Sequence, residues 1–177
     1  SLERITGQFL LFAGGGDEEL SVSVPLDQLL AEVASSHPAD QLQLELDNVE
    51  VMVKPVALSR AVANLIDNAF TYGQAPVVLR LLRTADQCLI EVWDQGEGMP
   101  QRQWEQALQP FHRLDSSRGG QGHCGLGLAI VVHVARLHGG HLDCCYAESL
   151  NDVKVPGSFA ICLSLPMDLL VENVEKS

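Results

Sequence analysis

Apolar residues recur along this chain with two different periods, and the switches between them mark out the elements. Ser21 to Pro25 alternates as a short strand does, and Leu26 to Ser35 carries Leu26, Leu29, Leu30 and Val33 at helical spacing. Leu42-Gln43-Leu44-Glu45-Leu46 and Val49 to Val53 alternate strictly, and with Asp47-Asn48 between them they predict a hairpin. Lys54-Pro55 opens a helix with proline near its first turn, and the stripe Leu58, Val62, Leu65, Ile66, Ala69 carries it to about Tyr72. Val77 to Leu82 and Cys88 to Trp93 are strands of the β-branched and aromatic type, followed by a short helical turn over Glu105 to Leu108. Leu126 to His138 is helical and stops at Gly139-Gly140, and Leu142 to Tyr146 and Ser158 to Leu165 are the last two strands.

The ends and one internal stretch read differently. Leu2 to Ala13 has Ile5, Phe9 and Phe12 at helical spacing, and Gly14-Gly15-Gly16 stops it before a solvated turn at Asp17-Glu18-Glu19. So short an amphipathic helix does not stand alone in water, so it reads as the tail of a longer one. His112 to Cys124 is rich in Gly and Ser, lacks apolar periodicity and reads as a loop. After Pro166 the alternation is weak. Because successive strands are mostly adjacent in sequence, the elements predict an α/β fold: a two-layer α/β sandwich whose mixed, mostly antiparallel sheet carries helices on one face. A doubly wound nucleotide fold is excluded, since neither GxxxxGK[ST] nor an early GxGxxG is present.

Length and charge narrow the function classes. At 177 residues the chain holds one domain with a real core. A net charge of −12 opposes a nucleic-acid-binding surface, which needs a stripe of Lys and Arg, so no nucleic-acid partner is expected. Five cysteines without CxxC spacing read as small buried hydrophobes of a reducing, cytoplasmic compartment. No signal segment opens the chain, and its longest apolar stretch, Leu126 to Val134, is far below the ~20 residues a bilayer needs.

Four short patterns in fixed order carry the chemistry. In Asn64-Leu65-Ile66-Asp67-Asn68-Ala69 the two asparagines stand one helical turn apart on one face, and a single amide oxygen suffices for Mg²⁺, which keeps most of its waters. Asp94-Gln95-Gly96-Glu97-Gly98 follows a strand; its glycines allow close approach of backbone, and the Asp94 carboxylate can accept from an exocyclic amine such as that of adenine. Gln109-Pro110-Phe111-His112-Arg113 opens the loop, in which Arg113 and Arg118 suit phosphate oxygens. Gly125-Leu126-Gly127-Leu128-Ala129-Ile130 begins a helix and offers free amides at its positive end.

In that order the patterns resemble the N, first glycine, F and second glycine boxes of sensor histidine kinases, within the wider gyrase, Hsp90, histidine kinase and MutL family of ATP-binding domains. The resemblance covers residues 20 to 166 and looks closest to the osmosensor-like branch of bacterial kinases, through Arg60-Ala61-Val62-Ala63-Asn64, Tyr72-Gly73, Phe111 and Cys124 to Val131. It implies a Bergerat-type fold that binds ATP and Mg²⁺, with Asn68 on the metal and Asn64 supporting the phosphates. Tyr72 would face adenine, Asp94 would read its amine, and Gly96 and Gly98 would shape that turn. Phe111 would pack the base of a lid, with Arg113, Arg118 and Gln121 reaching phosphate, and Gly125, Leu126 and Gly127 would start the helix beneath the phosphates. Two positions depart from the pattern: Thr71 where a Lys or Arg is common, and His123-Cys124 in the first two places of the second glycine box, which weakens the expected grip on phosphate.

The resemblance also implies a reaction. The ATP-hydrolysing relatives carry a Glu general base four residues before the metal Asn, and here that place is Asn64, which cannot take a proton. A histidine acceptor, mostly neutral at pH 7, needs no such base. The expectation is therefore a protein-histidine kinase, with Asn64, Arg113 and Arg118 as the catalytic group. None of the six histidines has the His-Glu/Asp-x-x-x-x-Pro context of a phospho-acceptor. Residues 1–16 would then be the end of the second helix of a dimerisation hairpin, 17–166 the catalytic domain and 167–177 a tail. The partners implied are ATP, the histidine-bearing dimerisation domain and, through the full-length kinase, a response regulator receiver domain. The fragment would be a monomer, and its parent a homodimer at a bacterial inner membrane. A slow ATPase and a degenerate, non-catalytic nucleotide-binding or interaction module are the alternative readings.

Overall fold

The structure, a computed structural model, describes residues 18–109, 127–150 and 153–167. Strand β1 (Val22–Pro25) leads directly into α1 (Leu26–Ala34), and β2 (Leu42–Leu46) and β3 (Glu50–Val53) precede the long helix α2 (Pro55–Tyr72). Proline at the first position of α2 gives up no hydrogen bond there, and apolar residues at Ala57, Leu58, Ala61, Val62, Leu65, Ile66 and Ala69 make one buried stripe. Two long strands follow, β4 (Val77–Arg83) and β5 (Gln87–Asp94), then a short helix α3 (Gln101–Ala107) and the helix α4 (Gly127–Leu137). Strand β6 (His141–Tyr146), a single 3-10 turn (Ala147–Ser149) and β7 (Phe159–Pro166) complete the order.

The main sheet runs β2-β4-β5-β7-β6, with β2 parallel to β4 and every other pair antiparallel. That is the expected mixed, mostly antiparallel sheet. Alternation along the strands decides its two faces. Leu79, Leu81, Ile90, Val92, Ile161 and Leu163 face the buried stripes of α2 and α4 in one large core. The opposite face holds a small cluster of Val78, Trp93 and Ala160, with Trp93 Nε1 donating to Glu91 at 2.9 Å and Arg80 Nε to the same oxygen at 2.7 Å. Cys144 joins the first cluster and Cys145 the second, as adjacent strand residues must. Burial pushes the Cys88 thiol up to about 11 and the Cys162 thiol up to about 12, so both behave as small hydrophobes.

One expected pairing is overturned. The strands over Leu42–Leu46 and Glu50–Val53 do not form a hairpin. β2 pairs in parallel with β4, Leu42 opposite Val77 and Leu46 opposite Leu81, while β3 pairs antiparallel with β1 in a separate two-stranded ribbon. Asp47, assigned above to the turn, carries the pairing onward by donating from its N–H to the Leu81 carbonyl at 3.0 Å. Val49 then accepts from the Leu26 N–H at 2.7 Å, which ties the connection to the start of α1. Alternation identified both strands, but it does not say which strand each pairs with, and the true partners lie far away in sequence. The short turn expected after Met99 is a full helix, Gln101–Ala107, anchored by buried Trp104. The expected helix at Leu2–Ala13, the loop from His112 to Cys124 and the tail lie outside the described residues.

Candidate functional site

A pocket opens between the C-terminal half of α2 and the ends of β5 and β7. Its floor is apolar, made by Leu65 and Ala69 of α2, Val92 of β5 and Ile161 of β7. Polar groups converge at its rim: Asn68, Tyr72, Gly73 and Asp94. A mostly apolar cleft with a few placed polar groups is the usual form of a small-molecule site.

Asp94 is the chemical centre. Its side chain is only 5% exposed, and burial pushes its carboxyl above the ordinary carboxylate range. Two backbone N–H groups, of Gly96 at 2.7 Å and of Gln74, oppose that shift by donating to it. The surrounding turn is fixed from several sides. Gln95 donates from its backbone to the Gln74 carbonyl at 2.8 Å and from its side chain to the Pro156 carbonyl at 2.9 Å. Ser158 donates its N–H to the Asp94 carbonyl at 2.9 Å and its hydroxyl to the Gly96 carbonyl at 2.6 Å. The carboxylate is thus held in place before any ligand arrives.

Two glycines, Gly73 and Gly98, keep the site open, and a third, Gly127, stands beside Asn68. A Cβ on Gly73 would fall 2.3 Å from the Asp94 Cγ, so the end of α2 can pass the carboxylate only without a side chain. Gly98 has φ +82° and packs against Tyr146 and Phe159, which a Cβ would meet at 2.6 and 2.7 Å. Gly127 opens α4 beside Asn68, whose amide atoms lie 3.8 and 3.9 Å from where its Cβ would stand. A side chain at Gly127 would therefore stand in van der Waals contact with the Asn68 amide.

Of the residues expected from sequence, Asn68, Tyr72, Asp94 and Gly98 line one pocket, and Gly127 lies next to Asn68 without being one of the lining residues. Gly96 serves as a donor to Asp94, one step behind the lining. Asn64, 7% exposed on the buried side of α2, is not among the lining residues. Phe111, Arg113, Arg118, Gln121, Gly125 and Leu126 lie outside the described residues. Sequence reasoning did not single out Met99, Phe159 or Ser158, and it gave Gly73 no task. Met99 and Phe159 carry no polar signal, and Gly73 entered only as part of the Tyr72-Gly73 resemblance. Tyr146 was also missed: its hydroxyl donates to the Met99 carbonyl, and its ring lies 5.1 Å from that of Phe159, so it braces the pocket wall from outside.

Comparison with known proteins gives the same picture. Residues 53–169 match the model of the histidine kinase-, DNA gyrase B- and HSP90-like ATPases. Among curated relatives, the circadian input-output histidine kinase CikA of Synechococcus elongatus is 41% identical over 139 residues, covering 76% of this chain and 18% of its own length. Sensor histidine kinase GtrS of Pseudomonas aeruginosa is 38% identical over 129 residues, covering 68% of this chain and 25% of its own. The chain thus spans a quarter or less of these two relatives. Among solved structures, the histidine kinase domain of the E. coli osmosensor EnvZ matches at 30% identity with a TM-score of 0.61, over 85% of this chain and 91% of that one. The mycobacterial sensor histidine kinase MprB matches at 26% identity with a TM-score of 0.66, over 83% and 97%. The chain belongs to the histidine kinase-, DNA gyrase B- and HSP90-like ATPase family, and within it to the ATP-binding catalytic domains of sensor histidine kinases.

Proposed function

We propose that this domain binds Mg-ATP in the pocket beside Asp94 and transfers the γ-phosphoryl group to a histidine of a dimerisation domain. The observation that carries the reading is the convergence of Asp94, Gly98, Tyr72 and Asn68 on one cleft floored by apolar side chains. A purine ring fits such a cleft: the floor covers its faces, and the buried carboxylate accepts from its amine. Tyr72, 45% exposed at the rim, adds ring area against the base. The Asn68 amide, at the pocket rim beside Gly127, is the group proposed to hold Mg²⁺, with water and phosphate oxygens completing the shell. Magnesium would neutralise charge on the phosphates, and Arg113, Arg118 and Gln121 would add further donors. Phe111, Gly125 and Leu126 complete the proposed set, by packing the lid base and offering helix-start amides to phosphate.

The choice of acceptor rests on Asn64. One turn before Asn68 the chain offers an amide, so no base stands there to deprotonate water or an alcohol. An imidazole attacks without one, and catalysis then comes from positioning and charge neutralisation. We assign residues 17–166 to the catalytic domain, 1–16 to the end of a dimerisation helix and 167–177 to a tail. The full protein would be a homodimer that signals to a response regulator receiver domain. Among the described residues no helix is long and apolar enough to cross a membrane; a cytoplasmic domain on an inner-membrane protein is the placement proposed.

Calorimetry of a non-hydrolysable ATP analogue, with and without Mg²⁺, tests the site. Asn68→Ala is expected to remove most of the magnesium enhancement and to leave the metal-free affinity within about twofold, since its amide does not touch the base. An unchanged magnesium effect would place the metal elsewhere. Tyr146→Phe removes one hydroxyl and keeps the packed ring. It is expected to weaken ATP, ADP and adenosine by the same factor, about threefold to tenfold for one lost hydrogen bond. A loss confined to ATP would show that Tyr146 acts on the phosphate end instead. Transfer to an added dimerisation domain, with negligible ATP turnover in its absence, separates kinase from slow ATPase. Tight binding with no transfer would favour the degenerate module.

A further inference from the structure

At the opposite end of α2 from the pocket, three segments meet through a chain of polar contacts. Glu19 reaches across 37 residues of sequence to cap α2: its carboxylate accepts from Val56 N–H at 2.7 Å and Ala57 N–H at 2.9 Å. Lys54, which precedes the helix and has no capping side chain of its own, donates its ammonium to the Glu19 carbonyl. The Lys54 N–H donates to His138 Nε2 at 2.9 Å. His138, just past the end of α4, has its Nδ1 2.7 Å from the Val134 carbonyl. A backbone N–H can only donate and a carbonyl can only accept, so the ring is the neutral tautomer with its proton on Nδ1. Glu19, in the turn read from sequence as solvated, is therefore a helix cap supplied from outside the helix.

Of the two helices tied here, α2 lines the pocket and α4 starts beside its Asn68. Their other ends meet where Gly127 approaches Asn68, so α2 and α4 run antiparallel between the polar cluster and the site. Fourteen residues of helix separate Lys54 from Asn68, about 20 Å at the usual rise. A helix hydrogen-bonded turn to turn is a rigid element of the kind that carries coupling between its ends.

We propose that His138, clamped between Lys54 and Val134, is a positioning residue that sets α2 against α4, and that its protonation releases the clamp and weakens nucleotide binding. This deepens the Mg-ATP reading and rests on it. A proton on Nε2 would leave two donors, the ring N–H and the Lys54 N–H, facing each other. The charged groups facing the ring are Lys54 and Glu19: the ammonium opposes protonation and the carboxylate favours it. Burial is the larger influence and holds the His138 pKa below its ordinary 6.5. A depressed histidine contributes stability that is present above 6.5 and lost as pH falls through the lower, folded value. The release therefore belongs to mildly acidic conditions.

The test compares the 177-residue chain with its His138→Gln variant, whose amide can accept from Lys54 and does not titrate. ADP affinity is measured in Mg²⁺ from pH 8 to pH 5, and the ratio of the two proteins is read. Phosphate and Asp94 titrate alike in both and cancel in that ratio. The ratio is expected to be near one at pH 8 and to fall about threefold or more against the native protein at the acid end. Glu19→Gln should move the break to lower pH, because it removes the charge that favours the imidazolium. In parallel, amide exchange at Lys54, Val56 and Ala57, and the Asn68 side-chain amide resonance, are followed over the same range. A flat affinity ratio with a folded variant overturns the proposal. So does a response confined to the first turn of α2 that leaves the Asn68 resonance still. If neither protein binds nucleotide at any pH, the Mg-ATP reading fails, and with it the claim on binding. The resonances of α2 then show separately whether the clamp responds to protons.

Discussion

Asp94→Asn is expected to lower affinity for an adenine nucleotide about a hundredfold or more while the domain stays folded. The carboxylate accepts from the Gly96 and Gln74 N–H groups and has a further lone pair for the ligand. An amide has one oxygen, so whichever way it turns, an NH₂ group faces another donor. The mismatch is buried, and leaving one such group unsatisfied costs about 1–3 kcal/mol in stability or binding, more where a charge has been lost. Calorimetry reads the affinity, and thermal unfolding shows that the variant folds. The same geometry predicts which base the variant prefers. An NH₂ at position 94 can donate to a keto oxygen, so inosine triphosphate is expected to recover part of the lost affinity. Equal adenine affinity in the two proteins would mean that Asp94 does not read the base. The native site also has a predicted pH dependence. Asp94 is held above its ordinary value by burial, so its ionised form costs stability: that contribution is favourable below about 3.8 and lost as pH rises through the raised value. A bound amine favours the ionised form, so nucleotide binding should weaken as pH falls through that raised value.

Gly73→Ala is expected to remove nucleotide binding altogether and to lower the melting temperature by several degrees. The added methyl would sit 2.3 to 2.6 Å from all three carboxyl atoms of Asp94. The carboxyl cannot move aside freely, because backbone donors hold it. Nor can the chain, since the Gly73 N–H still bonds the Ala69 carbonyl and Gln74 accepts from Gln95. Overpacking of this kind costs roughly 1–3 kcal/mol, which for a domain of this size is a shift of a few degrees. Spectra of the refolded variant, with its melting curve and a binding isotherm, would check it. Retained affinity would mean that the end of α2 yields more easily than its hydrogen bonds suggest.

Much of this was legible in the chain, and the failures have physical causes. The stripe from Leu58 to Ala69 fixed α2, because one long buried helix face leaves a period that nothing else mimics. The strands β4, β5 and β7 were equally plain. Pairing was not. Alternation tells which residues of β2 and β3 face inward, but two strands joined by Asp47-Asn48 look like a hairpin whatever their true neighbours. In the pocket, Asn68, Tyr72, Asp94 and Gly98 were visible as chemistry-bearing types in a spaced pattern. Met99, Phe159 and Ile161 were not, since an apolar residue that lines a ligand looks the same as one that fills a core. Glu19 and His138 were hidden for another reason. Their meaning lies in a partner 37 or 84 residues away, and no local pattern encodes it.

The position of β7 has a consequence for the protein's birth. It lies between β5 and β6 although it comes after both in the chain. Phe159 and Ile161 supply pocket wall and floor, and Ser158 pins the Asp94 turn. A growing chain can pair β4 with β5 early, but β5 then shows an open edge, and its turn lacks the brace that shapes the pocket. Only when residues up to Pro166 have left the ribosome can the last strand slot into the middle of the sheet. Pairing that joins segments so far apart is slow to form, and an open edge is exposed to aggregation meanwhile. Nucleotide in the cell would then bind only the finished sheet and draw the equilibrium toward it. Yield of folded protein on refolding should therefore rise with nucleotide concentration.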